Sequence, residues 1–265
     1  MTPALAIDVG TVFAADAFDT LASLADGTVD MVLCDLPYGT TQNAWDTPID
    51  LERWWPEIRR VTKPTAAVVL FAQCPFDKVL GVSNLRELRC EWVWRKSLAT
   101  GHLNAKRAPL KAHEVVLVFA RKAPAYQPQM APRTGKRVAS VVRVDKSKQN
   151  DRNYGAQTVT TSWEDNGLRY PTTVLEFPHD REVGEGEIKQ HPTRKPVDLC
   201  RYLIRTYSKP GDLILDPTCG SGTTAVAAIE EQRRFVVGDS DPKWAAHAVN
   251  RIREASRQIP MRGVA

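Results

Sequence analysis

The chain has 265 residues, 43% of them hydrophobic and 25% charged, a composition typical of globular proteins that bury a large core. No run of about 18 apolar residues occurs, which argues against a membrane span, and the N-terminus lacks the pattern of a secretory signal. The five cysteines are scattered, which argues against a zinc site or a disulfide framework and favours a reduced, cytoplasmic location. The net charge of +5 is compatible with a polyanionic partner.

Strand and helix patterns alternate along the first 120 residues. Apolar runs predict strands over residues 12–15, 31–34, 66–71, 90–95 and 114–120, and amphipathic spacing predicts helices between residues 16 and 27, over 51–61 and over 76–84. This alternation is typical of an α/β protein with a doubly wound, mostly parallel sheet. Asp16 follows the first strand, either as a ligand-binding acid at a strand end or as the N-cap of the next helix.

The second strand ends in Asp35-Leu36-Pro37-Tyr38. Ligands of open α/β sheets bind at the carboxyl ends of strands, so this motif would bring a carboxylate, a stiff loop and a flat ring to a crevice. These groups suit methylation of an exocyclic amine on a planar base. The carboxylate and a main-chain carbonyl would accept the two N–H bonds, and the ring would stack on a base flipped out of the duplex. Taken alone, four residues fit an ordinary strand-to-loop exit better.

From residue 121 the periodicity gives way to a basic segment that contains several prolines. Residues 121–155 include nine Lys or Arg and two Asp or Glu. This excess of positive charge suits contacts with DNA phosphates, although a solvated loop would have the same composition. We predict that residues 121–190 form a target-recognition insertion between a catalytic part (1–120) and a cofactor-binding part (191–265) of one domain.

A second motif lies in the last third of the chain. A predicted helix over residues 197–207 and a strand over 213–216 lead into Asp216-Pro217-Thr218-Cys219-Gly220-Ser221-Gly222-Thr223, a glycine loop that opens a helix. The glycines let the backbone approach a ligand closely, and the helix start offers free N–H groups. No lysine follows Gly222, which excludes a Walker loop, and Ala225 stands where a dinucleotide fingerprint has its third glycine.

A carboxylate lies about 20 residues beyond the glycines, where it suits the two hydroxyls of a ribose. It is Asp239, at the end of a strand predicted over residues 235–238. Asp241 competes for this role, but the proline that follows it favours Asp241 as the N-cap of the last helix. The two motifs together indicate a nucleoside-type cofactor.

The order of these motifs resembles that of the β-arranged DNA amino-methyltransferases, which use S-adenosyl-L-methionine. In that family the catalytic motif precedes the glycine motif and the target-recognition region lies between them. The segment Asp35 to Tyr38 is similar to the family's Asp-Pro-Pro-Tyr motif except at Leu36, and Asp216 to Gly222 is similar to its cofactor motif. The segment His-Pro-Thr-Arg-Lys-Pro (191–196) resembles the part beside the methionine end of the cofactor, and Asp16 resembles the acid at the adenine end.

The resemblance implies a Rossmann-like methyltransferase fold with a circularly permuted strand order. It implies site-specific methylation of adenine N6 in double-stranded DNA, with the target base flipped out. The catalytic residues it implies are Asp35, Leu36, Pro37 and Tyr38. The cofactor-binding residues it implies are Asp16, Lys195, Asp216, Pro217, Cys219, Gly220, Ser221, Gly222, Thr223 and Asp239. No metal is expected, and the resemblance leaves open both a homodimer and a restriction-modification partner.

Three alternatives remain at this point. An N4-cytosine methyltransferase would present a similar amine geometry, although aspartate at the first motif position favours adenine within the family. A protein-glutamine methyltransferase would have asparagine in place of Asp35 and the glycine motif upstream of it. A DNA-binding module could retain the fold without turnover, but the intact Asp35, Tyr38 and glycine loop argue against it.

Overall fold

Eleven strands and six helices make up the described part of the chain. The computed structural model describes residues 2–39, 46–133, 166–178 and 194–258. The strands are β1 (Leu5–Ile7), β2 (Gly10–Ala14), β3 (Val29–Asp35), β4 (Thr62–Ala72), β5 (Leu88–Thr100), β6 (Lys111–Phe119), β7 (Ala131–Pro132), β8 (Leu168–Arg169), β9 (Val174–Phe177), β10 (Leu213–Asp216) and β11 (Arg234–Asp239). The helices are α1 (Ala17–Ala22), α2 (Leu51–Val61), α3 (Phe76–Ser83), α4 (Val197–Tyr207), α5 (Thr223–Glu230) and α6 (Pro242–Gln258).

Nine of the strands form one sheet in the order β1-β2-β11-β10-β3-β4-β6-β5-β9. Strands β2, β11, β10, β3 and β4 are mutually parallel, whereas β6 runs antiparallel to both of its neighbours. Two strands from the C-terminal part of the chain, β10 and β11, therefore lie between β2 and β3 from the N-terminal part. This order confirms the prediction of a Rossmann-like, mostly parallel sheet with permuted connections.

Helices cover both faces of this sheet. Because successive side chains of a strand point to opposite faces, Met31 and Leu33 of β3 contribute to one core and Val32 and Cys34 to the other. The first core is closed by α4, α5 and α6. The second is closed by α1, α2 and α3, whose α2 residue Trp54 is fully buried. Burial on both faces explains why the central strands are continuous apolar runs.

The predicted insertion, residues 121–190, overlaps both of the compact units into which the chain divides. One compact unit contains residues 1–127 and 173–265, and a second contains residues 128–172. Strand β9 falls inside the predicted 121–190 segment, yet it pairs in parallel with β5 in the large sheet. The second unit contains the short antiparallel pair β7–β8. Residues 134–165 and 179–190 of the predicted insertion lie outside the described residues. No helix within the described ranges is long and apolar enough to cross a membrane.

Candidate active site

Four neighbouring parallel strands each lead into an aspartate at the same edge of the sheet. Asp35, Asp216 and Asp239 are the last residues of β3, β10 and β11, and Asp16 follows β2 by two residues. All four line one cleft of about 770 Å³. The two sequence motifs, about 180 residues apart, are thereby brought to adjacent strands, because Met31 of β3 pairs with Ile214 of β10.

Both oxygens of the Asp35 carboxylate accept hydrogen bonds. The hydroxyl of Tyr38 donates to Oδ1 at 2.5 Å, and the ammonium of Lys195 donates to Oδ2 at 2.5 Å. The Asp35 side chain is 27% exposed and lines the cleft, so the carboxylate remains accessible although both of its oxygens accept a hydrogen bond. Burial raises the pKa of Asp35, and the charge of Lys195 partly offsets that rise.

Lys195 belongs to a buried chain of alternating charges. Its Nζ lies 3.2 Å from Oε2 of Glu114, and Oε1 of Glu114 lies 2.5 Å from Nζ of Lys96. Burial opposes the charge of Lys195, but Asp35 and Glu114 outweigh burial and raise its pKa above the ordinary value. Burial likewise opposes ionisation of Glu114, but Lys195 and Lys96 outweigh it and lower its pKa. This series of alternating charges therefore keeps Lys195 protonated beside Asp35.

The loop after Asp35 is fixed by contacts on both sides. The backbone N–H groups of Tyr38 and Gly39 both donate to Oδ1 of Asp46 at 2.8 Å. The Tyr38 ring stacks on Phe76, with ring centroids 5.4 Å apart and planes 25° apart. Leu36 is buried, so its apolar side chain anchors the loop, and Pro37 lines the cleft. Two further residues, Asp46 and Phe76, thus hold the predicted catalytic motif in place.

The glycine loop connects β10 to α5 in a tight conformation. Gly222 has φ +77°, and a Cβ at this position would lie 2.8 Å from the Cβ of Ala248 in α6. Only glycine fits there without strain, because the backbone is left-handed and α6 packs directly against it. Gly220, with φ +50°, donates its backbone N–H to Oδ2 of Asp239 at 2.8 Å. This bond joins the glycine loop to the end of β11.

The hydroxyls of the loop contact a cation of α6. Arg251 donates to the carbonyl of Ser221 at 2.8 Å and to the hydroxyls of Ser221 and Thr223 at 3.1 Å. Both residues are buried, as is Cys219, although all three still line the cleft with Pro217. Ser221 and Thr223 are therefore placed to shape the loop, and Arg251 supports the loop from behind.

Thr218 couples the two motifs directly. Its hydroxyl donates to the main-chain carbonyl of Asp35 at 3.1 Å and lies 3.0 Å from the sulfur of Cys34. The position of Asp35 is consequently tied to the conformation of the glycine loop.

The remaining acids differ in their surroundings. Asp216 is buried, and burial raises its pKa to about 7. Asp239 accepts backbone N–H bonds from Gly220 and Asp241 and is half-buried, and burial raises its pKa as well. Asp16 accepts from the N–H of Asp19 and is the N-cap of α1, one of its two predicted roles, while also lining the cleft. Asp241 accepts from the N–H of Lys243, the capping contact predicted for it.

Sequence reasoning missed several residues of this site. Lys96, Glu114 and Asp46 were not singled out, although a charged residue beside an otherwise apolar strand, as in Glu114-Val115-Val116, signals a buried ion pair. Lys195 was assigned to the cofactor, and it contacts Asp35 and Glu114. Residues 191–193 of its motif lie outside the described residues. Among the described residues, no group of His, Cys, Asp and Glu side chains is arranged to hold a metal ion.

Comparisons with known proteins agree with this geometry. The profile of a family described as DNA methylase, the N6/N4 methyltransferases, matches residues 29–250. The chain is 26% identical over 264 residues to DNA adenine methyltransferase YhdJ of Escherichia coli K12, covering 93% of this chain and 83% of that protein.

Solved structures share the fold. The cytosine-N4-specific PvuII DNA methyltransferase superposes with a TM-score of 0.67 at 16% identity, covering 97% of this chain and 94% of that one. The M1.HpyAVI–SAM complex superposes with a TM-score of 0.58 at 19% identity, covering 91% and 99%. With both motifs on adjacent strands and the profile spanning them, the chain belongs to the N6/N4 DNA methylase family.

Proposed function

We propose that this protein transfers a methyl group from S-adenosyl-L-methionine to N6 of adenine at specific sites in double-stranded DNA, in the cytoplasm. The observation that carries the proposal is the Asp35 carboxylate, held by Tyr38 and Lys195 at the end of β3, next to the glycine loop of the neighbouring strand. Aspartate at the first motif position and the similarity to an adenine methyltransferase support adenine as the target.

The residues of the cleft fit this methyl donor. The donor carries a sulfonium cation and a ribose with two hydroxyls, and the cleft offers four aspartates at one edge. Asp239 would accept from the ribose hydroxyls, since each carboxylate oxygen has a second lone pair beyond the backbone bond it already accepts. Gly220 and Gly222 would let the loop backbone lie against the donor, and Asp16 would lie at its adenine end.

The chain's own residues would act mainly through position and charge. When bound, S-adenosyl-L-methionine supplies an electrophilic methyl group. Asp35 and a main-chain carbonyl of its loop would accept the two N–H bonds of the adenine amine, which frees the nitrogen lone pair from the ring. A carboxylate has about four acceptor sites, and Tyr38 and Lys195 use two, so room remains for the amine. As the nitrogen–carbon bond forms, the sulfur–methyl bond breaks and a neutral thioether is left. The methylated amine then loses its extra proton to solvent, so no strong base is needed, and preorganised groups carry the rate.

Tyr38 would stack on the flipped base. Its ring is already held by Phe76 on one side and by the hydrogen bond to Asp35 at its tip. A ring fixed before the base arrives loses little side-chain freedom on binding, which favours the extrahelical base over the stacked one.

The test is to incubate the protein with labelled S-adenosyl-L-methionine and unmethylated DNA, digest the DNA and identify the modified nucleoside. Labelled N6-methyladenine is expected, and sequencing of the modified positions then gives the recognition site. The second candidate is N4-cytosine methylation, which the similarity to the cytosine-N4-specific PvuII enzyme favours; N4-methylcytosine would establish it. Cofactor binding without label in DNA would overturn both.

The assignment of the ribose-binding acid has its own test. Asp239→Asn is expected to weaken S-adenosyl-L-methionine binding about 10- to 100-fold, because one or two hydrogen bonds to a charged acceptor are lost or weakened. Asp241→Asn is the matched control, and it should leave the dissociation constant unchanged because asparagine caps a helix as well as aspartate does. Isothermal titration of both variants decides the matter. The reverse order of effects would assign the ribose to Asp241.

A further inference from the structure

The hairpin that joins β5 to β6 is strongly basic. Between residues 95 and 113 the chain has five Lys or Arg, two His and no Asp or Glu. Three of the cations have partners, namely Arg95 with Glu176, Lys96 with Glu114 and Lys111 with Gln73. Lys106 and Arg107 are exposed and contact no carboxylate within the described part of the chain. Two uncompensated positive charges therefore lie on the hairpin loop.

The same loop exposes leucines beside these charges. Within the loop, Leu103 is 102% exposed and Leu110 is also exposed, and Leu98, near the end of β5, is 71% exposed. Leu103 lies in a 3-10 turn that is ordered by its own backbone, because Asn104 N donates to the carbonyl of Gly101 and Arg107 N donates to that of Asn104. A fully exposed leucine on an ordered turn, followed three and four residues later by exposed cations, is suited to a partner with an apolar surface bordered by negative charge.

The hairpin lies at the same end of the strands as the cleft. Strand β5 runs in the same direction as β4, because both are antiparallel to β6. Its carboxyl end, Thr100, lines the cleft, and Lys111 across the hairpin is tied to Gln73 just beyond β4. The loop of residues 101–110 thus rises from the rim of the candidate active site.

We propose that this hairpin is a second DNA-contacting element, separate from the 121–190 segment, in which Lys106 and Arg107 bind phosphates and Leu103 enters the base stack. The proposal rests on the proposed function, which makes DNA the partner. Duplex DNA matches the hairpin because its apolar base faces lie between two rows of phosphates. Apolar side chains unstack bases by wedging between them, and flipping a base costs a few kcal/mol of lost stacking and pairing. A leucine in the vacated space would offset part of that cost.

The phosphate contacts are tested by salt dependence with a mixed-sequence, unmethylated duplex, which needs no recognition site. Each lost phosphate contact lowers the slope of log K against log salt by about 0.9. For Lys106→Gln/Arg107→Gln we expect a slope lower by about 2, so the affinity loss between 50 and 200 mM salt shrinks by about tenfold. The control, Arg86→Gln/Lys209→Gln, removes two exposed cations that precede β5 and β10, at the amino ends of the strands and away from the cleft, and should leave the slope unchanged.

The proposed entry of Leu103 into the base stack is tested with a duplex that carries 2-aminopurine in place of the target adenine. The fluorescence of 2-aminopurine rises when this base leaves the stack. Leu103→Ala should lose most of this rise, and Leu103→Phe should retain it because a bulky apolar group is preserved. The hairpin proposal alone would be overturned if the wild-type protein methylates DNA and these variants keep both the parental salt slope and the parental fluorescence rise. A wild-type protein that neither binds nor methylates DNA would overturn the proposed function instead.

Discussion

Asp35→Ala is expected to lower DNA methylation by at least about 10²- to 10³-fold while S-adenosyl-L-methionine binding stays nearly unchanged. The loss is this large because the carboxylate acts on the transferring nitrogen itself, where one preorganised group contributes several kcal/mol of transition-state stabilisation. The cofactor contacts proposed for Asp239, at the end of β11, and for the glycine loop after β10 do not involve the Asp35 side chain, so they remain. The measurements are single-turnover methyl transfer and titration of the cofactor.

Asp30→Asn is the matched control for this variant. Asp30 lies on the same strand at the opposite edge, where it pairs with Lys63 and accepts the N–H of Leu213, a bond that asparagine can still accept. It should methylate DNA at the parental rate. If Asp35→Ala also methylated at the parental rate with cofactor bound, Asp35 would have no place in the chemistry.

Lys195→Met should damage both activity and stability. The variant leaves the carboxylates of Asp35 and Glu114 facing each other without the cation between them. Removing one partner of a buried ion pair costs about 3–5 kcal/mol, and we expect about 2–3 kcal/mol because the Asp35 side chain is 27% exposed. Denaturant unfolding measures this loss. Lys195→Met/Asp35→Asn should recover part of the stability, since the second change removes one of the two like charges and leaves the pair of Glu114 with Lys96 intact.

The pH dependence separates a direct role of Lys195 from a structural one. The charge of Lys195 lowers the pKa of Asp35, so its removal raises that pKa further above the ordinary value. Because Asp35 accepts the amine hydrogen only when ionised, the acid limb of the methylation rate should move to higher pH.

Lys96→Met is the control for that shift. It breaks the contact with Glu114 and leaves Lys195 on Asp35, so it should lose stability without moving the acid limb. If the acid limb of the pH–rate profile did not move in Lys195→Met, the lysine would only support the fold.

Sequence patterns predicted the regular elements well. Helices α2 and α4 and strand β10 have the predicted bounds, because each combines a clear apolar period with a recognisable start or end, such as Asp50 before α2 and Gly211 before β10. Strand β1 was not predicted, since its three residues are too short for a period. Strand β9 was assigned to the insertion because its pairing with β5 depends on distant residues.

The candidate site was predicted where local motifs carry it and missed where it depends on tertiary contacts. Asp35, Asp216 and Asp239 stand at strand ends, which the sequence reveals through a carboxylate after an apolar run. Lys96 and Glu114 meet Lys195 across three separate elements, and no spacing rule joins residues so far apart in the chain. Thr218 was passed over because its importance lies in one hydrogen bond to the carbonyl of Asp35.

The position of β10 and β11 between β2 and β3 has a consequence for how the chain acquires its structure. Val12 pairs with Val237, so the middle of the sheet is assembled from contacts between the two ends of a long stretch of chain. Such non-local contacts raise contact order and slow folding. During synthesis, β2 and β3 each leave an apolar edge unpaired until the last strands emerge. We therefore expect the nascent chain to depend on chaperones until residues near 239 have left the ribosome.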